Sequence, residues 1–324
     1  MKVLNTFEVS EQDISGRLDI FLSEKLEISR SQAKKLVDQN QVLVNDKKPR
    51  KAGNRLHNGD IIKIVPLPDQ PVENVEKDDH QNIDAVEVIE ETPDYVVVNK
   101  PAGLLVHPTE ANETNTLTAW LLEKYPEISK VGDNPEQRPG IVHRLDKEAS
   151  GLLVVARTQK SFKHLKKQFK DRTVGKIYSI LVYGHLEKKH GIIDFEIDRG
   201  KDGRMVSRPK TDKLKLKNAL KIQDGKEALT EYWVEEDFTR FSLVKVKIHT
   251  GRTHQIRVHM LASGVPVVGD PLYKNRKLVK KGDVELDRLF LCARELCFDD
   301  FQSERKCFNV GLPQKLQDYL KHVT

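Results

Sequence analysis

An abrupt double reversal of charge constrains this chain more than any other feature. Between residues 29 and 65 nine Lys/Arg stand against three Asp/Glu. Between 66 and 94 one Lys faces ten Asp/Glu, and between 157 and 176 eight basic residues return against one acidic. The acidic stretch opens on PLPDQP and runs on through EKDDHQN, a Pro- and charge-rich composition that reads as an exposed linker. Its like charges repel one another and any phosphate backbone. At 324 residues the chain already exceeds a usual single domain. The expected organisation is a small module over residues 1–67, an acidic linker over 68–84 and a larger domain over 85–324. The net charge of +6 is a mild pointer to a polyanionic partner.

The N-terminal module divides into helix, helix and small sheet. Leu18, Phe21, Leu22 and Leu26 form an apolar stripe at helical spacing. Ser29 suits an N-cap for a second helix that turns Ala33, Leu36 and Val37 inward. Val42, Leu43 and Val44 run into the turn signal Asn45-Asp46, and Asn58-Gly59-Asp60 precedes a strand over 61–65. Arg30, Lys34 and Lys35 fall largely together on the second helix, and Lys47, Lys48, Arg50 and Lys51 crowd the following loop.

In the larger domain, strands are expected over 86–89, 95–99, 152–156, 176–182, 228–234 and 241–248, and helices over 116–124, 159–169 and 253–262. Runs of strands broken by a few helices imply an α+β fold with a mixed, mainly antiparallel sheet. Neither GxGxxG after a strand nor a Walker A sequence is present, so nucleotide-cofactor chemistry lacks its usual anchor. Cys292, Cys297 and Cys307 are odd in number and without CxxC spacing, which argues against a disulfide framework and a zinc ribbon. With no apolar signal core and no membrane-length apolar run, a reduced cytoplasmic location is the simplest expectation.

Three segments carry chemistry. GIVHRLDKEASGLLVVA, residues 140–156, sets Arg144 and Asp146 two residues apart just before an apolar run. Charges there are costly to bury unless they pair or work, so an acid/base or nucleophilic Asp at a sheet edge competes with a plain surface turn. KIYSILVYG places Tyr178 within an apolar strand, where a core Tyr with a wet hydroxyl is the ordinary alternative. HTGRTHQIRVHMLASG enters a helix after Thr250-Gly251 and carries Arg257 with three histidines, His249, His254 and His259. Without HExxH, and with no carboxylate in the segment, a zinc site is not expected. The lysine-rich helix TQKSFKHLKKQFKDR suits a solvated face or a phosphate-facing one equally.

These segments closely resemble the signatures of the RluA/RluD family of ribosomal large-subunit pseudouridine synthases. His143, Arg144, Leu145, Asp146, Ser150 and Gly151 match its first motif, and Ala149 departs from the usual Thr. KIYSILVYG resembles its second motif and RTHQIRVH its third, while KPAGLLVHP at 100–108 also fits family usage. The N-terminal module resembles the alpha-L RNA-binding fold named after a small-subunit ribosomal protein. The resemblance implies an RNA-modifying isomerase with Asp146 as the catalytic carboxylate, Tyr178 against the target base and Arg257 paired to Asp146. Arg144 would fill the space left by an extruded nucleotide, and Arg252 would serve RNA or loop structure. It implies RNA backbone contact by Arg30, Lys34, Lys35 and the 47–51 loop, with a steep salt dependence. Isomerisation needs no cofactor or metal. The implied partner is ribosomal RNA, in the form of a large-subunit precursor, and a monomer is the default expectation. Two other readings stay open: a non-catalytic ribosome-assembly factor with a degenerate synthase domain, and an RNA methyltransferase, which would need a glycine-rich cofactor loop.

Overall fold

The computed structural model describes residues 5–10, 16–26, 28, 30–38, 41–65, 83–109, 113–200, 203–208, 225–275, 277–280 and 283–323. The chain forms two units, Met1–Lys77 and Asp78–Thr324. Residues 66–82 of the acidic stretch and Ser29 lie outside the described residues.

In the first unit, β1 (Asn5–Glu8), β2 (Val42–Val44) and β3 (Ile61–Ile64) form a sheet in the order β1-β3-β2, antiparallel throughout. Helices α1 (Leu18–Lys25) and α2 (Arg30–Asp38) cover it. The helical stripe is buried as Leu18, Phe21 and Leu22, and it meets Ala33, Val37, Val42, Ile62 and Ile64 in one core. Asn45 and Asp46 both adopt positive φ, 51° and 62°, which a short Asn-Asp turn tolerates at low steric cost. The Asn45 side chain then donates to Asp60 and accepts from the Ile61 amide, tying the turn to β3.

The second unit is built on a mixed sheet. Its strands are β4 (Glu87–Glu91), β5 (Tyr95–Lys100), β6 (Ser150–Ala156), β7 (Gly175–Tyr183), β8 (His190–Ile193), β11 (Thr230–Asp237), β12 (Phe241–Ile248), β13 (Leu291–Asp299) and β14 (Arg305–Asn309). The order is β4-β5-β6-β13-β7-β12-β11-β8, with β14 also on β13. Every pairing is antiparallel except β6 with β13. A hairpin of β9 (Glu196–Arg199) and β10 (Met205–Arg208) stands apart. Helices α3 (Leu117–Lys124), α4 (Gln159–Asp171), α5 (Gln255–Ala262) and α6 (Gln314–Val323) complete the unit. Among the described residues no helix is long and apolar enough to cross a membrane.

β6 is buried at every position, as a central strand covered on both faces must be. Alternate residues feed two cores: Leu153 and Val155 pack with α3 and α5 residues, Leu152 and Val154 with Phe162 and Leu165 of α4. Thr158 caps α4 in a reciprocal capping box with Ser161. β13 was not among the expected strands, yet it lies between β6 and β7. Its residues Cys292 and Ala293 pair with Ser150 and Gly151 on one side and with Ser179 and Tyr178 on the other. Gly151 is required there. Its φ is +117°, and a Cβ would lie 2.2 Å from the Ala293 carbonyl oxygen.

The cysteine expectation needs correction. Cys297 and Cys307 face each other across the β13–β14 pair and are joined by a disulfide, while Cys292 is buried and free. A ten-residue spacing carries no motif, but the register of a hairpin places those two residues opposite one another. The cysteines therefore do not support a reducing compartment.

Lys100, at the end of β5, is fully buried. Its ammonium donates to the carbonyls of Pro101 and Leu104 at 2.8 Å and of Lys147 at 3.2 Å, matching its three N–H groups to three acceptors. This pins the 100–108 loop to the residue that follows Asp146. Burial pushes the Lys100 pKa down to about 7. Lys100→Met should leave the carbonyls unpaired and lower the unfolding free energy by about 2–4 kcal/mol, read in urea denaturation.

Candidate active site

The loop ahead of β6, the first half of β7 and the β12–α5 turn converge on one cavity of about 470 Å³, within the range of small-ligand pockets. It is lined by Asp146, Tyr178 and Arg257, from three distant parts of the chain, together with Arg144, Lys170, Arg172, Lys176, Lys247 and Arg252. Seven Lys/Arg side chains therefore surround a single lining carboxylate, Asp146. Such a collar attracts a polyanion and repels other carboxylates.

Arg257 sits in the first turn of α5 and is 2% exposed. Gln255 stiffens that turn: its Oε1 accepts from the Thr250 hydroxyl and the Arg252 amide, and its Nε2 donates to Leu229 O and Thr230 Oγ1. The Arg257 guanidinium forks onto Asp270, with Nε and Nη2 each 2.7 Å from a carboxylate oxygen. Its remaining nitrogen, Nη1, reaches Asp146 Oδ2 at 3.2 Å. Burial opposes the Arg257 charge, but hydrogen bonds to Asp270 and the fields of both carboxylates outweigh it and raise the pKa. Burial likewise pushes Asp270 up, and Arg257 with the Tyr273 and Leu272 amides more than reverses this.

Asp270 had no signal in the sequence beyond an isolated carboxylate after Gly269. That glycine has φ +71°, and its Cβ would strike the Arg288 carbonyl oxygen at 1.9 Å, so the turn presenting Asp270 depends on it.

Tyr178 is buried, and its hydroxyl has no hydrogen-bond partner among the described residues. Burial and the Asp146 charge raise its pKa, which keeps the phenol neutral. Arg144 is exposed at the cavity, its Nη1 3.3 Å from His107 Nε2. His143 faces inward: its Nε2 accepts the Val154 amide at 3.1 Å, and its ring stacks on Phe169 at 4.5 Å. Lys176 lies over the other ring contact, 5.5 Å from the Phe169 centroid, and burial lowers its pKa to about 8. Ala149 is buried and donates its amide to Asp146 O.

The three histidines of the 249–264 segment take separate partners. His249 faces Glu231, His259 lies between Thr230 and the Phe195 carbonyl, and His254 meets Tyr273. Arg252 donates to the Glu227 carbonyl while lining the cavity. Helix α4 divides its lysines: Lys166 pairs with Asp133, Lys167 with Asp171, and Lys160 covers Phe301, whereas Lys170 stands exposed at the cavity rim. In the N-terminal unit Lys34, Lys47, Lys48, Arg50 and Lys51 are exposed, and Arg30 pairs with Asp19 at 3.3 Å. The Lys35 side chain lies outside the described residues.

Residues 94–262 match the family model described as RNA pseudouridylate synthase, and residues 16–62 match the S4 domain. The chain is 38% identical over 317 residues to an uncharacterized RNA pseudouridine synthase, YlyB, of Bacillus subtilis, covering 97% of this chain and 96% of the other. It is 38% identical over 261 residues to the ribosomal large subunit pseudouridine synthase D of Neisseria meningitidis, covering 80% of this chain and 64% of that one. The solved structure of human RNA pseudouridylate synthase domain containing 1 superposes with a TM-score of 0.55 at 27% identity, covering 72% of this chain and 84% of the other.

Two outcomes test the electrostatic account. Asp270→Asn removes the fork from a buried guanidinium and should destabilise the protein by about 3–5 kcal/mol, read as a lowered urea midpoint. His143 is held neutral. Burial, helped by the Lys176 charge, pushes it from 6.5 to about 3. The unfolded chain thus takes up a proton in this window that the folded chain refuses. His143 supports stability fully above pH 6.5, and that support drains away as pH falls toward 3. Between pH 6.5 and 5, His143→Gln should show a shallower decline of unfolding free energy than the parent.

Proposed function

This chain belongs to the RNA pseudouridylate synthase family, in its RluA/RluD branch with an N-terminal S4 domain, and from that premise we propose that it converts uridines of ribosomal RNA to pseudouridine. The enzyme is an RNA pseudouridine synthase, an isomerase. Large-subunit RNA is the proposed substrate, because the Neisseria relative is named for that subunit. Modification there would support ribosome assembly, and the cytoplasm is the proposed place of action.

One observation carries the reading: Asp146 is the lone carboxylate in a cationic cavity, and a buried Arg257 holds one of its oxygens. A carboxylate so held is oriented without being fully neutralised, because Arg257 spends its fork on Asp270. In the proposed mechanism the target uridine leaves its loop, at a few kcal/mol for unstacking. Its phosphates meet the cationic collar, and Asp146 acts on the sugar as the bond between uracil and ribose breaks. The base turns over against Tyr178 and rejoins through carbon-5. The neutral Tyr178 phenol suits packing and hydrogen-bond donation to the base; taking the carbon-5 proton would require another acceptor or a relay. Arg144, exposed at the mouth, would occupy the space vacated in the RNA. The exposed basic residues of the S4 module would hold backbone phosphates, giving position without base specificity.

Mapping pseudouridines in ribosomal RNA with and without the gene product tests the substrate. Asp146→Asn should cut release of tritium from uracil-5-labelled RNA by roughly a thousandfold or more while RNA affinity changes little. Near-normal turnover in that variant would remove the proposed role of Asp146.

A further inference from the structure

The oxygen of Asp146 not held by Arg257 faces His254. His254 Nε2 lies 4.0 Å from Asp146 Oδ1, beyond a direct hydrogen bond. On its other side, His254 Nδ1 is 2.8 Å from the Tyr273 hydroxyl, and that hydroxyl oxygen also accepts the Met205 amide at 3.2 Å. With its oxygen accepting from Met205, Tyr273 has its own hydrogen to give to Nδ1. We take the tautomer in which Tyr273 donates to Nδ1 and the remaining imidazole hydrogen sits on Nε2, pointing toward the carboxylate. Burial lowers the His254 pKa, in keeping with a neutral ring. His254 itself adopts φ +54° at the entry to α5, an unusual conformation for a residue with a side chain, and it aims the ring at the cavity.

The 4.0 Å gap fits one oxygen. An atom about 2.8 Å from both Nε2 and Oδ1 would subtend an angle of about 90°, acceptable for an oxygen that accepts from one side and donates to the other. The ribose 2′-hydroxyl is such a group. It is attached to the carbon next to the anomeric carbon, so any attack or proton removal by Asp146 at the sugar brings it beside the carboxylate.

We infer that His254, oriented by Tyr273, reads the 2′-hydroxyl of the extruded uridine, so that the site selects a ribonucleotide over a deoxyribonucleotide at the reacting position. This rests on the reading that Asp146 acts on the sugar of an RNA uridine. A deoxyribose leaves the Nε2–H without its acceptor, and polar groups left unpaired in a closed site are what make such discrimination strong.

The probe is a stem-loop RNA carrying a mapped target uridine, prepared with either uridine or 2′-deoxyuridine at that one position. Dissociation constants are read by stopped-flow fluorescence before turnover. Wild-type enzyme should favour the ribo form by roughly tenfold. His254→Phe should bind both forms alike, near the wild-type affinity for the deoxy form, and Tyr273→Phe should shrink the preference while retaining the ring. A preference unchanged in His254→Phe, with both RNAs weakened together, would show a purely structural histidine and overturn the inference. Equal binding of the two forms by the wild type would overturn it as well. Failure of the wild type to convert the ribo stem-loop is a separate result: it defeats the functional reading, and this inference with it.

Discussion

One guanidinium shared unequally between two carboxylates governs the architecture around the cavity. Arg257 is almost wholly buried, and a buried cation without partners would be untenable. Asp270, its side chain fully inaccessible, takes the bidentate geometry and is itself stabilised by two backbone amides. Asp146 takes one N–H from the remaining nitrogen, Nη1, and keeps 21% of its side chain exposed. Asp270 therefore satisfies the structural demand of the cation, and Asp146 is left oriented and open on one side.

That division of labour needs the three chain segments to arrive at fixed separations, and the sheet provides them. Gly151, Ala293, Tyr178 and Val246 form a row across β6, β13, β7 and β12. Two small residues in that row allow a close approach of β6 to β13 at the point where the Asp146 loop enters the sheet. The Lys100 ammonium ties the same loop to the 100–108 segment from beneath. The cations of the rim come from the loop ahead of β6, the end of α4, β7, β12 and the β12–α5 turn, so the collar and Asp146 share one scaffold.

Much of this was legible in the sequence, for identifiable reasons. The α+β class and the mainly antiparallel sheet followed from β-branched runs such as those over 95–99 and 241–248, and Asp146, Tyr178 and Arg257 stood out through short, specific motifs. Asp270 did not, because an acidic residue in a turn gives no sign of a partner thirteen positions away. β13 was hidden by composition: LCARELCFD mixes charged and small residues, and only its central place in the sheet explains its burial. The Cys297–Cys307 pair needed that same strand's register before its spacing meant anything. His254 drew notice only as one of three histidines suggesting zinc, and its bond to Tyr273 requires the tertiary fold.

The position of β13 in the chain also governs how the molecule comes into being. This strand fills the centre of the sheet, yet it is synthesised after nearly every other strand, with Leu291 close to the C-terminal tenth of the sequence. Until it emerges from the ribosome, β6 and β7 have no mutual contact and each leaves an unpaired edge, a condition that invites wrong pairing with other chains. A nascent polypeptide therefore holds its motifs without a joined wall between them. The two halves of the sheet, one carrying β6 and the other β7, are joined only through this strand.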